Sequence, residues 1–311
     1  MVTGIVGARG FIGSHLVPHI ASTRAGAVRV LLRNVRVGEV CGDAEIVSGD
    51  LLSPFDCERF AAGLDVIYYL AHCNTPINSD RDQANDAFLN LVPLLNLLRA
   101  VRVQKRRPHI VYFSSGGAIY GRKTDRIPLR ETDPSEPFSS YGIQKLAAEQ
   151  YLSLAARRGE LSCAVLRISN AYGALLSRDR MQGLIGVAIN NAIHGSPIRI
   201  FGDEDNVRDY VHLTDICEIA GKAGAPGEPF TIVNVGSGRG YSVREVLKII
   251  QDTAGCPVRI ERHEDPQCGQ WLTNWVVLDI TKARQRYGWT PVVDLPAGIR
   301  ALFESCRPAG I

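Results

Sequence analysis

The 311-residue sequence has no C-x-x-C pair of cysteines and no histidine at metal-ligand spacing from a cysteine. Structural zinc sites and disulfide frameworks both depend on such spacings, so the sequence predicts neither. The eight cysteines are scattered along the chain, as is typical of reduced thiols in a cytosolic protein. No metal site is therefore expected.

Long apolar runs and an excess of one charge are missing as well. No run of about 18 apolar residues is present to cross a membrane, and an apolar strand that begins at residue 2 leaves no room for a signal peptide. The net charge of +3 arises from dispersed Lys and Arg residues, which does not suggest a nucleic-acid partner. We expect a soluble, cytoplasmic protein that binds neither nucleic acid nor membrane.

Short apolar and β-branched runs alternate with helical stretches through the first half of the chain. Runs this continuous are typical of strands buried on both faces, which occur in parallel sheets covered by helices on each side. The sequence therefore predicts an α/β fold with a doubly wound parallel sheet of the Rossmann type. The predicted strands are residues 2–6, 28–32, 44–48, 66–70, 109–113 and 163–168.

The rhythm of strands and helices loosens after about residue 170, where Gly, Pro and polar turns separate shorter elements. No Ser-rich or Pro-rich linker precedes this part, so we expect no flexible hinge peptide. The sequence predicts a dinucleotide-binding domain over residues 1–170 and a smaller α/β substrate lobe over residues 171–311. Parts of 202–235 are expected to pack on the first domain.

The first predicted strand leads into "GARGFIG", with glycines spaced three apart and a helix that starts at the third. In such a loop one glycine allows the turn, the second allows the backbone to approach a pyrophosphate, and the third allows the helix to lie close on the strand. The positive end of the helix favours the phosphate charge. The loop residues predicted to bind a dinucleotide are Gly7, Arg9, Gly10, Phe11, Ile12 and Gly13.

The end of the second predicted strand, "VLLRN", carries Arg33 about twenty residues after Gly13, where an NAD enzyme usually has an acidic residue. An arginine can pair with a 2′-phosphate but cannot accept a hydrogen bond from a 2′-hydroxyl. Arg33, with Arg9 beside it, therefore favours NADP. The alternative is that Arg33 is a surface residue that stacks on adenine, and NAD remains open.

Other cofactor contacts are predicted from position, because ligands bind at the carboxyl ends of parallel strands. Asp50, after the third strand, can accept a hydrogen bond from the adenine amino group, and "LAH" after the fourth strand can line the cofactor. The further residues predicted to bind the cofactor are Asn34, Asp50, Leu51, Leu70, Ala71, His72 and Ser114.

A tyrosine and a lysine stand four residues apart in "YGIQK", at Tyr141 and Lys145. On a helix this spacing directs both side chains to one face. A phenol has a reference pKa near 10, and a neighbouring ammonium group stabilises the phenolate and lowers that pKa. Such a pair can take a proton from a sugar hydroxyl while a nicotinamide accepts hydride from the same carbon.

The sequence resembles the extended short-chain dehydrogenase/reductases, in the branch of UDP-glucose 4-epimerase-like nucleotide-sugar epimerases. The resemblance covers almost the whole chain and rests on "GARGFIGSHL", "GDL", "LAH", "NLVPLLNLL", "FSSGGAIYG", "SSYGIQKLAAE", "LRISNAYG", "FGDEDNVRDYVHLTDI", "NVGSG" and "LDITKARQRYGWTP", in the family's order and spacing.

The resemblance implies a bound nicotinamide that oxidises C4 of a nucleotide-linked sugar to a ketone, which turns over and is reduced from its other face. It implies that Tyr141 is the acid/base and that Lys145 also holds the nicotinamide ribose. Asn90 then supports the cofactor site, while Asn170 and Arg208 contact the nucleotide diphosphate. A homodimer formed through helices over 82–102 and 138–158 is also implied.

Two departures from the family pattern affect the predicted chemistry. Gly116 occupies the place of the family's catalytic Ser or Thr and would line the substrate, so Ser115 is the hydroxyl left to assist Tyr141. The next positions, Gly117 and Ala118, cannot move a proton, which argues against dehydration. Gln267 replaces an arginine that contacts the diphosphate in relatives, and Arg262 is the candidate substitute.

The leading hypothesis is an NAD(P)-dependent 4-epimerase of a UDP-hexose or UDP-N-acetylhexosamine for surface polysaccharide. One alternative is a reductase of a nucleotide-linked 4-keto-6-deoxyhexose, which Arg33 supports because net reduction commonly uses NADPH. A second alternative is a cofactor-sensing protein without turnover, which the missing hydroxyl at Gly116 allows but the intact Tyr141 and Lys145 do not favour.

Overall fold

The computed structural model describes residues 1–75, 78–104, 106–121, 125–175, 183–255, 258–263 and 275–307. The chain divides into two compact units, each assembled from three segments. The first consists of Met1–Ile119, Ser135–Arg167 and Cys217–Val233, and the second of Tyr120–Pro134, Ile168–Ile216 and Asn234–Ile311. The sequence-based boundary at residue 170 lies near the division after Arg167, whereas residues 120–134 group with the second unit and residues 217–233 with the first.

A seven-stranded sheet contains every strand predicted from the first half of the chain. Its strands are β1 (Val2–Val6), β2 (Ala27–Leu32), β3 (Glu45–Ser48), β4 (Val66–Tyr69), β5 (His109–Ser115), β6 (Ser162–Ile168) and β10 (Phe230–Val235). They lie in the order β10-β6-β5-β4-β1-β2-β3, with parallel pairing between β5, β4, β1, β2 and β3. The doubly wound α/β fold is confirmed, and the order reverses between β1 and β4, where such sheets bind ligands.

Four helices complete the first unit around this sheet: α1 (Gly13–Thr23), α2 (Pro54–Ala61), α3 (Gln83–Val103) and α4 (Ser140–Arg157). A fifth, α6 (Leu213–Ala223), spans the division between the units. The apolar faces of the strands and of α2, α3 and α4 form one continuous core, in which Phe60, Ile67, Leu94, Leu97, Ile110, Leu152 and Val165 are fully buried. This burial of apolar surface is the main term that stabilises the sheet.

Within the described residues, the second unit contains two smaller sheets. β9 (Val207–His212) lies between β11 (Gly240–Ser242) and β13 (Trp275–Val276) and also pairs with β7 (Asn170–Tyr172), while β8 (Ile198–Phe201) pairs with β12 (Ile260–His263). Four helices accompany them: α5 (Leu184–Ile193), α7 (Val243–Ala254), α8 (Thr281–Tyr287) and α9 (Leu295–Cys306). Helix α7 begins with a capping box in which Ser242 and Glu245 satisfy each other's backbone N–H groups.

Two absences hold for the part of the chain that the structure describes. None of its helices is long and apolar enough to cross a membrane. No group of three or more His, Cys, Asp or Glu side chains is placed so that it could hold a metal ion.

Candidate active site

The glycine loop joins β1 to α1 in the geometry that its spacing predicts. Gly7 has φ 87°, and the N–H of Gly10 donates to the Gly7 carbonyl at 2.9 Å. A Cβ added at Gly13 would stand 2.1 Å from that carbonyl oxygen, so only glycine allows α1 to start here. Helix α1 has no side-chain cap and no acidic residue in its first turn. Its N-terminus can therefore receive a phosphate.

The end of β4 lies directly against this loop. A Cβ added at Gly7 would meet the backbone of Leu70 and Ala71 at 2.9 and 2.8 Å, and the N–H of Leu70 donates to Val6. The loop after β4 is held in turn by Asn90, whose Oδ1 accepts from the Cys73 N–H at 2.7 Å. The structure thus brings the loop residues Leu70 and Ala71 to the glycine loop and gives Asn90 a supporting place behind them.

Both arginines that favoured NADP have carboxylate partners. Arg9 Nε donates to Glu39 at 2.8 Å, and Arg9 Nη1 donates to the Arg33 carbonyl at 2.7 Å. The Arg33 guanidinium lies 3.8 Å from Asp50, and both of these side chains are exposed to solvent. Asn34 follows in the left-handed region at φ 51°. Because cation and carboxylate face each other in both pairs, the local charge does not single out a 2′-phosphate.

The residues at the remaining cofactor positions divide by what their side chains do. The Leu51 side chain is buried in the apolar core of the first unit. The Ser114 hydroxyl is buried and donates to Glu149 at 2.6 Å, which commits it to the protein interior. Phe11 and Ile12 are half-buried in the glycine loop. Ser114 was expected to contact the cofactor, and the structure gives its side chain a different partner.

Tyr141, Lys145 and Ser115 come together at the junction of β5 and α4. The Lys145 ammonium donates to the Phe113 carbonyl at 2.9 Å and lies 5.7 Å from the centre of the Tyr141 ring. A side-chain hydrogen bond joins Ser115 to Tyr141. Helix α4 can begin at this point because the Ser139 hydroxyl caps it through the Gly142 N–H.

The protonation of this pair differs from the expectation that the ammonium group would lower the phenol pKa. Burial raises the pKa of Tyr141 to about 12, and the hydrogen bond from Ser115 only partly opposes this. Burial also lowers the pKa of Lys145 to about 8, opposed by the negative charge of Glu149. In a site so shielded from water, the cost of burying either charge exceeds the benefit that each charge gains from its neighbours. The pKa of Tyr141 is therefore raised, and the expected lowering of that pKa was wrong.

His72 is a third group against the tyrosine ring. The two rings meet edge to face with centres 4.7 Å apart. Burial and the positive charge of Lys145 lower the pKa of His72 to about 2, so the imidazole is neutral at physiological pH. Its Nε2 is shut off from solvent and has no hydrogen-bond partner within the described residues.

The segment that lacks the expected hydroxyl packs on the start of α4. A Cβ added at Gly142 would stand 2.5 Å from the Ala118 carbonyl oxygen, so the glycine after Tyr141 allows this close approach. Gly116 is buried in the turn after β5, whereas a Cβ at Gly117 would meet no heavy atom within 4 Å. A side chain at position 117 would therefore enter open space.

Three candidate substrate residues, Asn170, Arg208 and Arg262, lie in the second unit, whereas Gly116 lies in the first. Asn170 donates from Nδ2 to the Asp209 carbonyl at 2.9 Å and so ties β7 to β9. Arg208 in β9 is half-buried, donates to the Val207 carbonyl at 2.8 Å, and pairs with no carboxylate in the described segments. Arg262 in β12 pairs with Glu204, which occupies the guanidinium that was proposed as a substitute. Gln267 lies outside the described residues.

Sequence reasoning missed several buried polar residues that hold this site. Asp86 in α3 accepts hydrogen bonds from Ser140 and Gln144 of α4, and Glu149 pairs with Arg167 of β6. Glu149 follows Lys145 by four residues and Tyr141 by eight, so it shares their helix face. That spacing was a signal in the sequence, whereas its partner Arg167 carries none that a pattern could reveal.

Comparison with known proteins places this arrangement among nucleotide-sugar enzymes. Residues 4–236 match the model of the NAD dependent epimerase/dehydratase family. The UDP-glucose 4-epimerase of Mycolicibacterium smegmatis is 31% identical over 315 residues, covering 99% of each chain. The crystal structure of the Thermus thermophilus UDP-glucose 4-epimerase in complex with NAD superposes with a TM-score of 0.88 at 31% identity, covering 99% of this chain and 100% of that one.

A relative with a different activity matches a shorter part of the chain. The dTDP-4-dehydro-6-deoxyglucose reductase of Escherichia coli is 31% identical over 230 residues, which is 74% of this chain and 70% of the relative. Of the two cofactors that the sequence left open, the family description and the Thermus complex both name NAD. The preference for NADP drawn from Arg33 finds no counterpart in them.

Proposed function

The chain belongs to the NAD dependent epimerase/dehydratase family, and we propose that it is a nucleotide-sugar 4-epimerase that inverts C4 of a UDP-hexose or a UDP-N-acetylhexosamine. The observation that carries this proposal is the convergence of Tyr141, Lys145 and Ser115 beside the glycine loop and the end of β4. The open turn at Gly117 further supports it, because no acidic side chain is present there to remove water.

The glycine loop, the ends of β2 to β4 and the Lys145 ammonium are the parts of this chain that would hold NAD. They fit it, since α1 offers an uncapped N-terminus and, apart from the residues next in the chain, the atoms nearest to a Cβ added at Gly7, Gly10 and Gly13 belong to the backbone. When bound, the nicotinamide supplies the hydride chemistry at the sugar carbon.

Proton transfer at the sugar oxygen is the task of Tyr141. Its pKa of about 12 keeps the phenol protonated at neutral pH, so it can donate to the oxygen of a 4-keto sugar. For the opposite direction it must release that proton, and Lys145, with a pKa of about 8, is protonated at pH 7 and provides the adjacent positive charge. Ser115 orients the phenol through its hydrogen bond.

The nucleotide part of the substrate has a candidate partner in Arg208. A half-buried guanidinium without a carboxylate partner in the described residues suits a diphosphate, whose oxygens can accept two parallel hydrogen bonds. Asn170 keeps the strand that carries Arg208 in place. Both assignments, and the choice of UDP over other nucleotides, are part of this proposal.

The second candidate function is an NADPH-dependent reductase of a nucleotide-linked 4-keto-6-deoxyhexose. The match to the Escherichia coli reductase favours it. It differs from the epimerase in consuming external reductant. A cofactor-sensing protein is the least favoured, because its site would have no use for the Tyr141–Ser115–Lys145 arrangement.

Conversion of UDP-galactose to UDP-glucose without added NADPH tests the proposal. We expect turnover in the native protein and a loss of about 10²–10⁴-fold in Tyr141→Phe, the range typical of a removed acid/base. Tyr151→Phe is the matched control, since Tyr151 lies on the exposed side of the same helix. Turnover that requires NADPH and a 4-keto sugar would establish the reductase. Cofactor binding without either reaction would support the cofactor-sensing protein.

We also propose that two chains associate through α3 and α4. The two helices expose Phe88 and Ile143, two of the large apolar side chains that face solvent in the first unit. Light scattering on the eluting protein tests this: a dimer that Ile143→Lys converts to an active-site-intact monomer supports it, and a native monomer contradicts it. The cytoplasmic location stays a prediction.

A further inference from the structure

Three consecutive residues at the end of β5 each bind a different residue of α4. The Phe113 carbonyl accepts from Lys145 at 2.9 Å, the Ser114 hydroxyl donates to Glu149 at 2.6 Å, and Ser115 is hydrogen-bonded to Tyr141. The helix partners are spaced by four residues and therefore form one row along the helix. Of these three interactions, the one between Ser114 and Glu149 involves neither Tyr141 nor Lys145, the residues of the proposed chemistry.

Glu149 is completely buried and carries a full set of partners. Arg167 of β6 binds it through Nε at 3.0 Å and Nη2 at 2.7 Å, so the two side chains form a bidentate pair inside the unit. Since β6 adjoins β5 in the sheet, Glu149 ties α4 to two neighbouring strands at once. Buried ion pairs are often no more stable than an apolar pair of the same shape, so stability alone does not account for this one.

The charge of Glu149 also reaches the catalytic lysine. The titratable side chains that face Lys145 are Tyr141 and Glu149 on its own helix, Tyr112 on β5 and His72 after β4, with Arg167 behind Glu149. The tyrosines and the histidine are neutral at physiological pH. Glu149 is therefore the anionic group of this set that faces the ammonium.

We propose that Glu149 is a positioning residue for the Tyr141–Lys145 pair: by binding Ser114 and Arg167 it locks the end of β5 against α4 and presents a negative charge to Lys145. The inference rests on the proposed roles of Tyr141 and Lys145. It matters more here than in a site with a hydroxyl at position 116, because Ser115 is the hydroxyl left at the end of β5 to assist Tyr141, and its neighbour Ser114 is bound to Glu149.

Two variants separate the two parts of the proposal. One part is the clamp, which is the hydrogen bond from Ser114 to Glu149 that holds β5 to α4, and the other is the negative charge presented to Lys145. Ser114→Ala removes the bond from β5 to Glu149 and keeps the ion pair with Arg167. Glu149→Gln keeps an oxygen that can accept from Ser114 but removes the charge. Ser162→Ala is the matched control, since that serine bonds His109 at the opposite ends of the same two strands. A merely structural role predicts that all three variants change stability and leave the pH dependence alone.

The first measurement needs no substrate or cofactor. An NMR titration of labelled lysine side chains in the free protein is expected to show Lys145 releasing its proton near pH 8, and at a pH lower by roughly one unit in Glu149→Gln. Ser162→Ala should titrate as the native protein does. An unchanged Lys145 titration in folded Glu149→Gln would overturn the part of the proposal that concerns charge.

The second measurement uses turnover. In Ser114→Ala we expect kcat to fall about five- to tenfold, the equivalent of one hydrogen bond of about 1 kcal/mol, with KM unchanged because the residue does not touch substrate. A native kcat in Ser114→Ala would overturn the clamp. If the native protein shows neither activity, the proposed function fails, but the Lys145 titration still tests the positioning role of Glu149. If Glu149→Gln does not fold, the double variant Glu149→Gln/Arg167→Met replaces it in the titration.

Discussion

Each of the two units contains a completely buried carboxylate, and the surroundings of the two differ. Glu149 in the first unit is bound by the Arg167 guanidinium through two bonds and by one serine hydroxyl. Asp209 in the second unit is bound by neutral donors, of which the closest are the N–H and hydroxyl of Ser237 at 2.7 Å each and the N–H groups of Gly238 and Leu278 at 3.1 and 3.2 Å. Glu149 is thus bound by a cationic partner, whereas Asp209 is bound by the dipoles of neutral N–H and O–H groups.

The consequence of this difference is visible in protonation. Burial raises the pKa of Asp209 to about 6, and these neutral donors only partly oppose the rise. Oriented N–H groups satisfy the lone pairs of a carboxylate but do not fully replace the water that solvated its charge. The strand that carries Arg208 is thus organised around a group that titrates near physiological pH, whereas the row that carries Tyr141 and Lys145 is organised around an ion pair.

The largest expected effect comes from removing the countercharge. Arg167→Met leaves Glu149 buried without a cation, and we expect the free energy of unfolding to fall by about 3–5 kcal/mol. Denaturant titration checks this. The double variant Arg167→Met/Glu149→Leu should recover most of the loss, because an apolar pair can replace a buried ion pair. A loss below about 1 kcal/mol in the single variant would show that Glu149 does not depend on its countercharge, which would contradict the difference drawn between Glu149 and Asp209.

The next effect is the pH dependence that Asp209 should impose. Its pKa is raised from 3.8 to about 6 in the folded state, so its contribution to stability is fully present below about pH 4 and is lost as the pH rises through about 6. The shift corresponds to roughly 3 kcal/mol. Unfolding of the native protein and of Asp209→Asn across this range measures it. We expect the difference between them to change in favour of the native protein as the pH falls; parallel curves would contradict the assignment.

A smaller effect is expected when one neutral donor is removed. Ser237→Ala deletes the hydroxyl that binds Asp209 at 2.7 Å, and we expect a loss of about 1 kcal/mol at pH 7. Because that hydroxyl helps to lower the pKa of Asp209, the pH dependence should also move to higher pH. Hydrogen exchange of the β9 amides reports both changes. A variant that weakens β9 without moving its pH dependence would show that Ser237 acts by packing alone.

The sequence predicted those parts of the fold that depend on neighbouring residues. All six strands predicted from the first half are present, with ends that differ by at most two residues, because continuous apolar runs between turns are local signals. For the later part of the chain the sequence predicted that parts of 202–235 pack on the first domain, and not that β10 joins the large sheet. Which strand it pairs with depends on a tertiary contact made across more than sixty residues of chain.

The candidate site divides in the same way. Tyr141, Lys145 and the glycine loop were found because their residues stand at short, characteristic spacings in the sequence. Glu149 and Asp209 were missed because their role depends on burial, and the sequence alone does not distinguish a buried carboxylate from one on a solvated surface. The pKa of Tyr141 was predicted in the wrong direction for the same reason, since the spacing shows the ammonium group and does not show the loss of water around both groups.

The discontinuous first unit has a consequence for synthesis of the chain. On one side the sheet ends with β10, which is synthesised only after β7, α5, β8 and β9. Until then β6 is the edge of the sheet, and its unpaired N–H and C=O groups are a template for strands of other chains. Nascent chains that stall between residues 168 and 230 should therefore be the form of this protein that aggregates or recruits chaperones, while released chains are protected.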